Sequence, residues 1–184
     1  MPPPADQKTA PLPRNQKIAP LLRQPEASDG AAVWQLVSEC APLDRNSMYC
    51  NLLQCDHFAD TSIIAEHDGD IIGWISAYIV PNEPDTLFIW QVAVAERARG
   101  TGLASRMLRG LLDRAACAGV TSLKTTITDD NEASWALFRR FAAAQGAPLE
   151  REAHFRRDEH FAGRHATEHM VTIGPFGAEK KAAA

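Results

Sequence analysis

An apolar segment that runs directly into a glycine-containing loop constrains the fold of this chain more than any other feature. Residues 87–94 are almost continuously apolar, which predicts a central strand covered on both faces. The loop that follows reads Arg97-x-x-Gly100-x-Gly102, and a helical pattern of apolar residues begins directly after it. A strand feeding such a turn exposes backbone N–H groups at a helix N-terminus, where the helix dipole also favours negative charge. The sequence therefore predicts an anion site, with Arg97 and Arg99 supplying charge suited to phosphate oxygens.

Two other kinds of phosphate-binding loop do not fit this segment. A Walker A loop ends in Gly-Lys-Ser or Gly-Lys-Thr, whereas this loop continues as Gly102-Leu103-Ala104. A dinucleotide-binding loop has a third glycine three residues after the second, and Ser105 stands there. The local pattern alone leaves two interpretations open, an anion site or an ordinary strand-to-helix turn.

The rest of the chain predicts an α/β or α+β domain with a mixed sheet. The expected order is one strand, two helices, three meandering strands, a helix, a strand, a helix and two strands. Ser28-Asp29 and Ser47 are predicted helix N-caps, and Asp68-Gly69 is a predicted hairpin turn. Pro42 and Gly119 are predicted to end helices. The predicted strands cover residues 21–24, 60–67, 71–80, 87–94, 120–128, 151–157 and 168–173, and a polar loop of residues 158–167 joins the last two.

Composition sets the limits of that domain. Six of the twelve prolines lie in the first twenty residues, so residues 1–19 are expected to be a disordered tail. Residues 20–176 are expected to form one domain, and residues 177–184 a second disordered tail. No apolar run approaches the roughly 18 residues of a membrane-spanning helix, and the N-terminus has no signal-peptide pattern. A cytoplasmic protein without a membrane partner is therefore expected.

Charge and cysteine spacing narrow the classes of function. The net charge of −4 argues against nucleic acid as a partner, because nucleic-acid-binding domains are usually basic. It is compatible with a small cationic substrate. The four cysteines, Cys40, Cys50, Cys55 and Cys117, form no metal-binding pair, so no metal site is predicted. We expect them to be reduced, apolar side chains rather than catalytic nucleophiles.

The segment around the glycine loop resembles a known superfamily. Residues 90–94, Trp-Gln-Val-Ala-Val, together with the loop are similar to the acyl-CoA pyrophosphate loop of the GNAT N-acyltransferases. The resemblance implies the GNAT acyl-CoA N-acyltransferase fold, a mixed and mostly antiparallel seven-stranded sheet with a splayed centre and four flanking helices. It also implies acetyl-CoA as the co-substrate. Further matching residues lie in the next strand and helix, namely Thr125, Ile127, Asn131, Ser134, Leu137 and Phe138.

The same resemblance implies where acetyl-CoA binds. The fourth strand would part from the fifth at a bulge near Val92, where the pantetheine arm pairs with the backbone of Val92 and Val94. The pyrophosphate would lie on backbone N–H groups of the loop and the first helical turn. Asn131 would lie near the pantetheine or the leaving sulfur. The implied cofactor-binding residues are Val92, Val94, Arg97, Arg99, Gly100, Gly102, Leu103, Ala104 and Asn131.

Phe138 departs from the superfamily pattern. Many members have a tyrosine at this position, whose hydroxyl can protonate the departing thiolate, and a phenylalanine cannot do so. Either another group protonates the thiolate, or it leaves unassisted, which a thiol pKa near 8.5 makes tolerable.

A narrower resemblance extends along nearly the whole domain. The segment Leu43-Asp44-Arg45-Asn46-Ser47 with Tyr49, the strand at Trp90, and the pair His165 and Glu168 are similar to the diaminobutyrate acetyltransferase family of ectoine biosynthesis. This resemblance implies acetyl transfer to the γ-amino group of L-2,4-diaminobutyrate by direct attack in a ternary complex. Its implied substrate-binding residues are Asp44, Tyr49, Trp90, His165 and Glu168, of which Glu168, His165 and Tyr49 would be catalytic.

The chemistry of these residues agrees with a diamino acid substrate, which carries two ammonium groups and one carboxylate. Asp44 can pair with an ammonium group, and Tyr49 offers a hydroxyl or an aromatic face to a cation. Trp90, two residues before the expected bulge, should share the face of Val92 and wall the acetyl site. Glu168 and His165 can orient an ammonium group and accept its proton, because an amine must be neutral to attack.

Several alternatives stay open from the sequence. Asp44 could be a helix-capping residue, Trp90 a core residue and His165 a surface histidine. The chain could acetylate another amine, such as a polyamine, a lysine side chain or a protein N-terminus, although the long loop of residues 158–167 favours a closed groove. It could also be a non-catalytic acyl-CoA-binding module. A homodimer is compatible with the sequence but is not indicated by any pattern.

Overall fold

A seven-stranded sheet forms the centre of the computed structural model, which describes residues 19–41 and 43–176. The strands are β1 (Leu21–Arg23), β2 (Ile63–His67), β3 (Asp70–Ile79), β4 (Thr86–Val94), β5 (Ser122–Thr128), β6 (Leu149–Phe155) and β7 (Glu168–Ile173). The helices are α1 (Gly30–Glu39), α2 (Met48–His57), α3 (Leu103–Leu112), α4 (Glu132–Gln145) and the four-residue α5 (Arg157–His160). The strand order is β1-β2-β3-β4-β5-β7-β6, and every pair is antiparallel except β4 with β5. The predicted fold class is confirmed.

β4 and β5 are the only parallel pair in the described sheet, and they pair over fewer residues than any other two long strands. β4 and β5 pair from Thr86 opposite Ser122 to Ile89 opposite Thr125 and no further. Beyond Ile89, β4 continues along β3, whereas β5 continues along β7. The two halves of the sheet therefore separate, which confirms the predicted splayed centre.

The bulge in β4 lies at Trp90 rather than near Val92. Gln91 is opposite Ser76 and Ile89 is opposite Ala77, so Trp90 is the extra residue. One extra residue inverts the alternation of side chains beyond it. Val92 therefore packs with the core that contains Ile89, whereas the Trp90 ring contacts that of Tyr78 edge to face, 6.4 Å between centroids. The prediction that Trp90 and Val92 share a face is wrong for this reason.

Helices cover both faces of the sheet, as strand alternation requires. In β2, Ile64 packs with Val33 and Val37 of α1, while Ile63 packs with Leu108 of α3. The α1 and α2 side also buries Trp74, and the α3 and α4 side holds the larger cluster. β4 contributes Leu87 and Ile89 to one side and Ala93 to the other, in agreement with the prediction that it is covered on both faces.

Several local boundaries differ from the sequence prediction. The helix expected to reach Gly119 ends at Leu112, because Arg114 is extended and its guanidinium donates to the carbonyl groups of Ala59 and Ser62. Residues 59–61 form a 3₁₀ turn, so β2 begins at Ile63 rather than at residue 60. β6 begins at Leu149 and ends at Phe155, two residues earlier than expected at each end.

The predicted N-caps have different outcomes. Ser47 caps α2, and its hydroxyl accepts a hydrogen bond from the Cys50 N–H at 3.1 Å. Asp29 does not cap α1, because its carboxylate binds Arg23 and the Glu26 N–H instead. Pro42 lies outside the described residues, as do both predicted tails apart from Ala19, so the tails stay predictions.

Candidate active site

Two cavities meet at the point where β4 leaves β5. The first, of about 430 Å³, lies between β4, the glycine loop, α3 and α4. The second, of about 390 Å³, lies between β4, β5, the α1–α2 loop and the start of β7. Four residues line both cavities, namely Leu43, Val92, Asn131 and Ser134. The arrangement provides two binding spaces that share one boundary.

The glycine loop forms one wall of the first cavity. Gly100 and Gly102 have φ angles of +74° and +77°, which L-residues other than glycine rarely adopt. Gly102 precedes α3 directly, so the N–H groups of the first helical turn have no acceptor within the helix. Arg99, Leu103 and Ala104 line this cavity together with the two glycines. The predicted anion site is thus assembled as a concave surface.

The two loop arginines have different positions. Arg99 lines the first cavity, and its Nε donates to the Val94 carbonyl oxygen at 3.1 Å. Arg97 lines neither cavity, because it forms an ion pair with Asp70 of the β2–β3 hairpin, Nη2 to Oδ2 2.7 Å. Arg140 of α4 lines the first cavity and was missed by the sequence analysis. Arg140 follows Leu137, another lining residue, by three positions, and residues three apart lie on the same face of a helix. This spacing could have identified Arg140 from the sequence.

Backbone groups of β4 face the gap in the sheet. The Ala95 N–H donates to the Ile72 carbonyl oxygen at 2.9 Å, so Ala95 and Ala93 direct their peptide groups toward β3. The peptide groups of Val92 and Val94 therefore point away from β3, toward the gap between β4 and β5. The Val94 carbonyl oxygen already accepts from Arg99 and from the Cys40 thiol, the latter at 3.4 Å. The N–H and C=O of Val92 and the N–H of Val94 thus face the gap with the geometry of an unpaired strand edge.

Asn131 and Phe138 define the boundary between the cavities on the α4 side. The Asn131 Oδ1 accepts a hydrogen bond from the Ser134 N–H at 3.1 Å and caps α4. Asn131 lines both cavities, whereas Phe138 is buried and lines the second. The Phe138 ring has no proton to donate at this position.

His165 lies between two carboxylates in the second cavity. Its Nε2 is 3.5 Å from Asp44 Oδ2 and 3.9 Å from Glu168 Oε1. Its Nδ1 is 2.8 Å from the Ala166 carbonyl oxygen, which can only accept, so Nδ1 carries a proton. In neutral His165 the Nε2 lone pair therefore faces the carboxylates, and a protonated His165 can pair with them. The structure brings together three predicted site residues that the sequence separates widely.

Glu168 is the most buried of these ionisable groups, with its side chain 19% exposed. Burial raises the pKa of the Glu168 carboxyl above its usual value. The positive charge of His165 and a hydrogen bond from Thr126 oppose this rise in pKa, and the negative charge of Asp44 adds to it. A carboxylate with a raised pKa is better suited to accept a proton near neutral pH.

The second cavity is negatively charged. Asp44, Asp130 and Glu168 line it, and no lysine or arginine lines it among the described residues. Asp130 accepts a hydrogen bond from the Thr128 hydroxyl at 2.6 Å on the cavity wall. Trp90 is half-exposed and also lines the cavity, so the core alternative for this residue is wrong. These charges favour a ligand that carries amino groups.

Tyr49 is the predicted site residue that the structure does not bring to the cavities. It lies on α2 with 68% of its surface exposed and lines neither cavity. Its place in the site was implied by the family resemblance, through the segment that also carries Asp44. The cap at Ser47 begins a helix between the two, and this turns the Tyr49 ring outward.

Three of the four cysteines lack the environment of a nucleophile. Burial raises the pKa of the Cys50 and Cys117 thiols, and it raises that of Cys55 to about 12. The described part of the chain contains no group of three or more His, Cys, Asp or Glu side chains that could hold a metal ion. Among residues 19–41 and 43–176, no helix is long and apolar enough to span a membrane.

Comparison with known families agrees with this geometry. The model of the acetyltransferase (GNAT) family matches residues 31–143. The chain therefore belongs to the GNAT acetyltransferase family. Distant structures share its fold, such as Ard1 from Thermoplasma volcanium, which has a TM-score of 0.67 at 15% identity and covers 85% of this chain and 98% of that chain.

More similar relatives place the chain within one branch of that family. It is 48% identical over 157 residues to the L-2,4-diaminobutyric acid acetyltransferase of Methylotuvimicrobium alcaliphilum, covering 85% of this chain and 91% of that protein. The enzyme of the same name from Vibrio parahaemolyticus is 51% identical, covering 83% of this chain and 84% of that protein. The diaminobutyrate acetyltransferase EctA from Paenibacillus lautus, solved with its substrate L-2,4-diaminobutyric acid and coenzyme A, has a TM-score of 0.82 at 44% identity, covering 85% and 95%. Within the GNAT family, the chain belongs to the diaminobutyrate acetyltransferases.

The pKa of Glu168 provides a direct test of the second cavity. We expect Thr126→Val to raise it, because the hydrogen bond from Thr126 stabilises the ionised carboxylate. Thr172→Val is the matched control, since Thr172 lies opposite Lys124 and Glu150, lines neither cavity and should leave the Glu168 pKa unchanged. The measurement is a carboxyl ¹³C NMR titration. An unchanged pKa in Thr126→Val, or equal shifts in both variants, would contradict the geometry.

Proposed function

We propose that the protein transfers the acetyl group of acetyl-CoA to the γ-amino group of L-2,4-diaminobutyrate. The product, N-γ-acetyl-diaminobutyrate, is the precursor that is cyclised to the compatible solute ectoine, so the role is osmoadaptation. The observation that carries the proposal is the meeting of two cavities at Val92 and Asn131, one with an anion-binding loop and one lined by carboxylates. The related enzymes of the same branch support the same reaction.

In this proposal acetyl-CoA occupies the first cavity. The N–H groups of the loop and of the first turn of α3 bind the pyrophosphate. Arg99, which lines the same cavity, supplies a positive charge beside it. The pantetheine amides pair with Val92 and Val94, because these backbone groups face the gap in the sheet. This places the thioester near Asn131, at the boundary with the second cavity.

The diamino acid occupies the second cavity in the same proposal. Asp44 and Glu168 bind its ammonium groups, and Trp90 forms the wall beside the acetyl group. Tyr49 would take part only if α2 or its side chain moved, since it is exposed outside the cavity. The proposal therefore assigns proton transfer to Glu168 and His165 rather than to Tyr49.

The reaction proceeds by direct attack in a ternary complex. The γ-ammonium gives a proton to Glu168 or His165, and the neutral nitrogen attacks the thioester carbonyl carbon. The C–N bond forms, the C–S bond breaks, the nitrogen loses its second proton to solvent, and coenzyme A leaves as a thiolate. Phe138 cannot protonate that thiolate, so it is protonated by another group or leaves unassisted, which its low pKa permits.

The cofactor assignment predicts a loss of binding in Gly102→Glu. A side chain with a negative charge at this position, where φ is +77°, would strain the loop and repel phosphate oxygens. We expect acetyl-CoA binding to weaken at least tenfold, about 1.4 kcal/mol, by calorimetry. Gly119→Glu is the control, because this glycine faces open space and lies outside both cavities. Unchanged binding in Gly102→Glu would exclude the loop as the phosphate site.

The acceptor assignment predicts selection by chain length. A site that holds the α-ammonium and α-carboxylate fixes the distance from the reacting nitrogen to the thioester. Each extra methylene in ornithine and lysine displaces that nitrogen by roughly 1 Å or more, which can cost about 10²-fold in rate. We expect a thiol-release assay to show preference for diaminobutyrate, and product NMR to show γ-acetylation.

Glu168→Gln tests the proton acceptor in the same assay. Turnover should fall by about 10² or more, with acetyl-CoA affinity nearly unchanged. Glu159→Gln, in the exposed α5 turn, should keep normal turnover. An α-acetylated product, or equal turnover of ornithine and lysine, would mean that another amine is the natural acceptor. Binding of acetyl-CoA without turnover of any amine would favour a non-catalytic module.

We further infer a homodimer formed through β6. This edge strand is exposed along Glu150–Phe155, and the unpaired N–H and C=O groups of an edge strand can pair with a strand of another chain. Phe155, 42% exposed, contacts Phe161 and His160 and adds an apolar patch beside the edge. The free cysteines are consistent with the cytoplasm, where thiols stay reduced.

Light scattering after size-exclusion chromatography tests the dimer. We expect a mass about twice the 20.1 kDa of one chain. Phe155→Glu should shift the protein toward a monomer, whereas Leu21→Glu on the opposite edge strand, where Leu21 is 61% exposed, should not. A monomeric unaltered protein would overturn the inference.

A further inference from the structure

The bulge at Trp90 turns one polar side chain toward the α1–α2 loop. Without the extra residue, Gln91 would share the side of Ile89, in the core beneath α3 and α4. With it, Gln91 lies opposite Ser76 and its side chain reaches the loop that carries Asp44. Gln91 is only 7% exposed, so this amide is held inside the protein.

Gln91 binds the main chain of that loop. Its Nε2 donates to the Asp44 carbonyl oxygen at 3.1 Å, a contact between residues 47 positions apart. Since a carbonyl oxygen only accepts, this bond fixes the orientation of the amide. The Gln91 Oε1 is buried without a hydrogen-bond partner among the described residues, as is the Oγ of Ser76 opposite it. A buried oxygen without a hydrogen-bond partner lowers the stability of the folded protein. The bond from the same amide to the loop offers a reason for a glutamine at this buried position.

A second side chain holds the same loop from α1. The Trp34 Nε1 donates to the Asn46 carbonyl oxygen at 3.1 Å. The loop, residues 43–47, is otherwise at the surface, and the Asp44 side chain is 82% exposed. The carbonyl groups of Asp44 and Asn46 are thus held by side chains of β4 and α1, while the Leu43 N–H donates to the Cys40 carbonyl oxygen at 3.0 Å. The Asp44 carboxylate lies 3.5 Å from His165.

We propose that Gln91 and Trp34 are positioning residues, which hold the main chain of loop 43–47 and so set where the Asp44 carboxylate lies in the second cavity. This inference rests on the proposed function, in which Asp44 binds the diamino acid. Trp34 lines neither cavity, so it acts only through the main chain of the loop. Gln91 also lines the second cavity, so Trp34 separates the positioning role from direct contact with the substrate. The loop also borders the first cavity at Leu43, but the bound carbonyl groups are those of Asp44 and Asn46. We therefore expect the loss of either contact to weaken binding of the diamino acid rather than binding of acetyl-CoA.

Gln91→Met tests the first contact, because methionine keeps the length of the side chain and removes the donor. We expect the KM for diaminobutyrate to rise roughly three- to tenfold, as for the loss of one hydrogen bond. The KM for acetyl-CoA should stay within about twofold, and Tm should be unchanged or higher since an unsatisfied buried amide is gone. Ser76→Ala is the matched control: it is buried opposite Gln91 and has no bond to the loop, so both KM values should be unchanged.

Trp34→Phe tests the second contact independently. If Gln91→Met does not fold, this variant alone tests the positioning role. It keeps an aromatic ring and removes the Nε1 donor, so the same selective rise in the diaminobutyrate KM is expected. If the unaltered protein acetylates diaminobutyrate but the variants leave its KM within twofold, or raise both KM values together, the positioning role is wrong and the proposed function stands. An unaltered protein that does not acetylate diaminobutyrate would instead overturn the proposed function.

Discussion

The short parallel contact between β4 and β5 is the constraint on which the rest of the structure depends. The strands pair over four residues each, up to Ile89 and Thr125, and then follow different neighbours. Backbone N–H and C=O groups in a sheet need partners, and those of Val92 face a gap where no strand of the described chain pairs with them. A ligand with its own amide groups can fill this position. The cofactor cavity is therefore a consequence of an incomplete sheet.

The bulge at Trp90 divides the functions of consecutive residues on β4. Because one extra residue inverts the alternation, Val92 stays on the side of the glycine loop, while Gln91 reaches the α1–α2 loop. Trp90 itself remains half-exposed at the second cavity. Three neighbouring side chains thus lie at the first cavity, at the second cavity and against the α1–α2 loop. A regular strand could direct them to only two faces.

Charge separates the two cavities as clearly as shape does. The first combines helix N–H groups with Arg99 and Arg140, which suit a phosphate-bearing ligand. The second has Asp44 and Glu168 on either side of His165, and burial raises the pKa of the Glu168 carboxyl. An amine bound there meets groups that can attract its charge and then take its proton. The two cavities share a boundary but not their charged lining residues.

Local sequence determined those features that depend on residues a few positions apart. The glycine loop, the Ser47 cap and the extent of β7 follow from backbone preference, hydrogen-bond geometry and alternation, and each agrees with the structure. The family resemblance added the fold and the grouping of Asp44, His165 and Glu168 in one site, which no local pattern contains.

Tertiary structure alone decided the position of the bulge, the end of α3 and the roles of Gln91 and Arg97. Each depends on a contact with a distant segment, such as Gln91 with Asp44 or Arg97 with Asp70, 47 and 27 positions away along the chain. The same is true of Tyr49, whose sequence neighbours do not reveal that α2 turns its ring toward solvent. Propensity and periodicity describe one segment at a time, whereas these outcomes depend on which segments pack together.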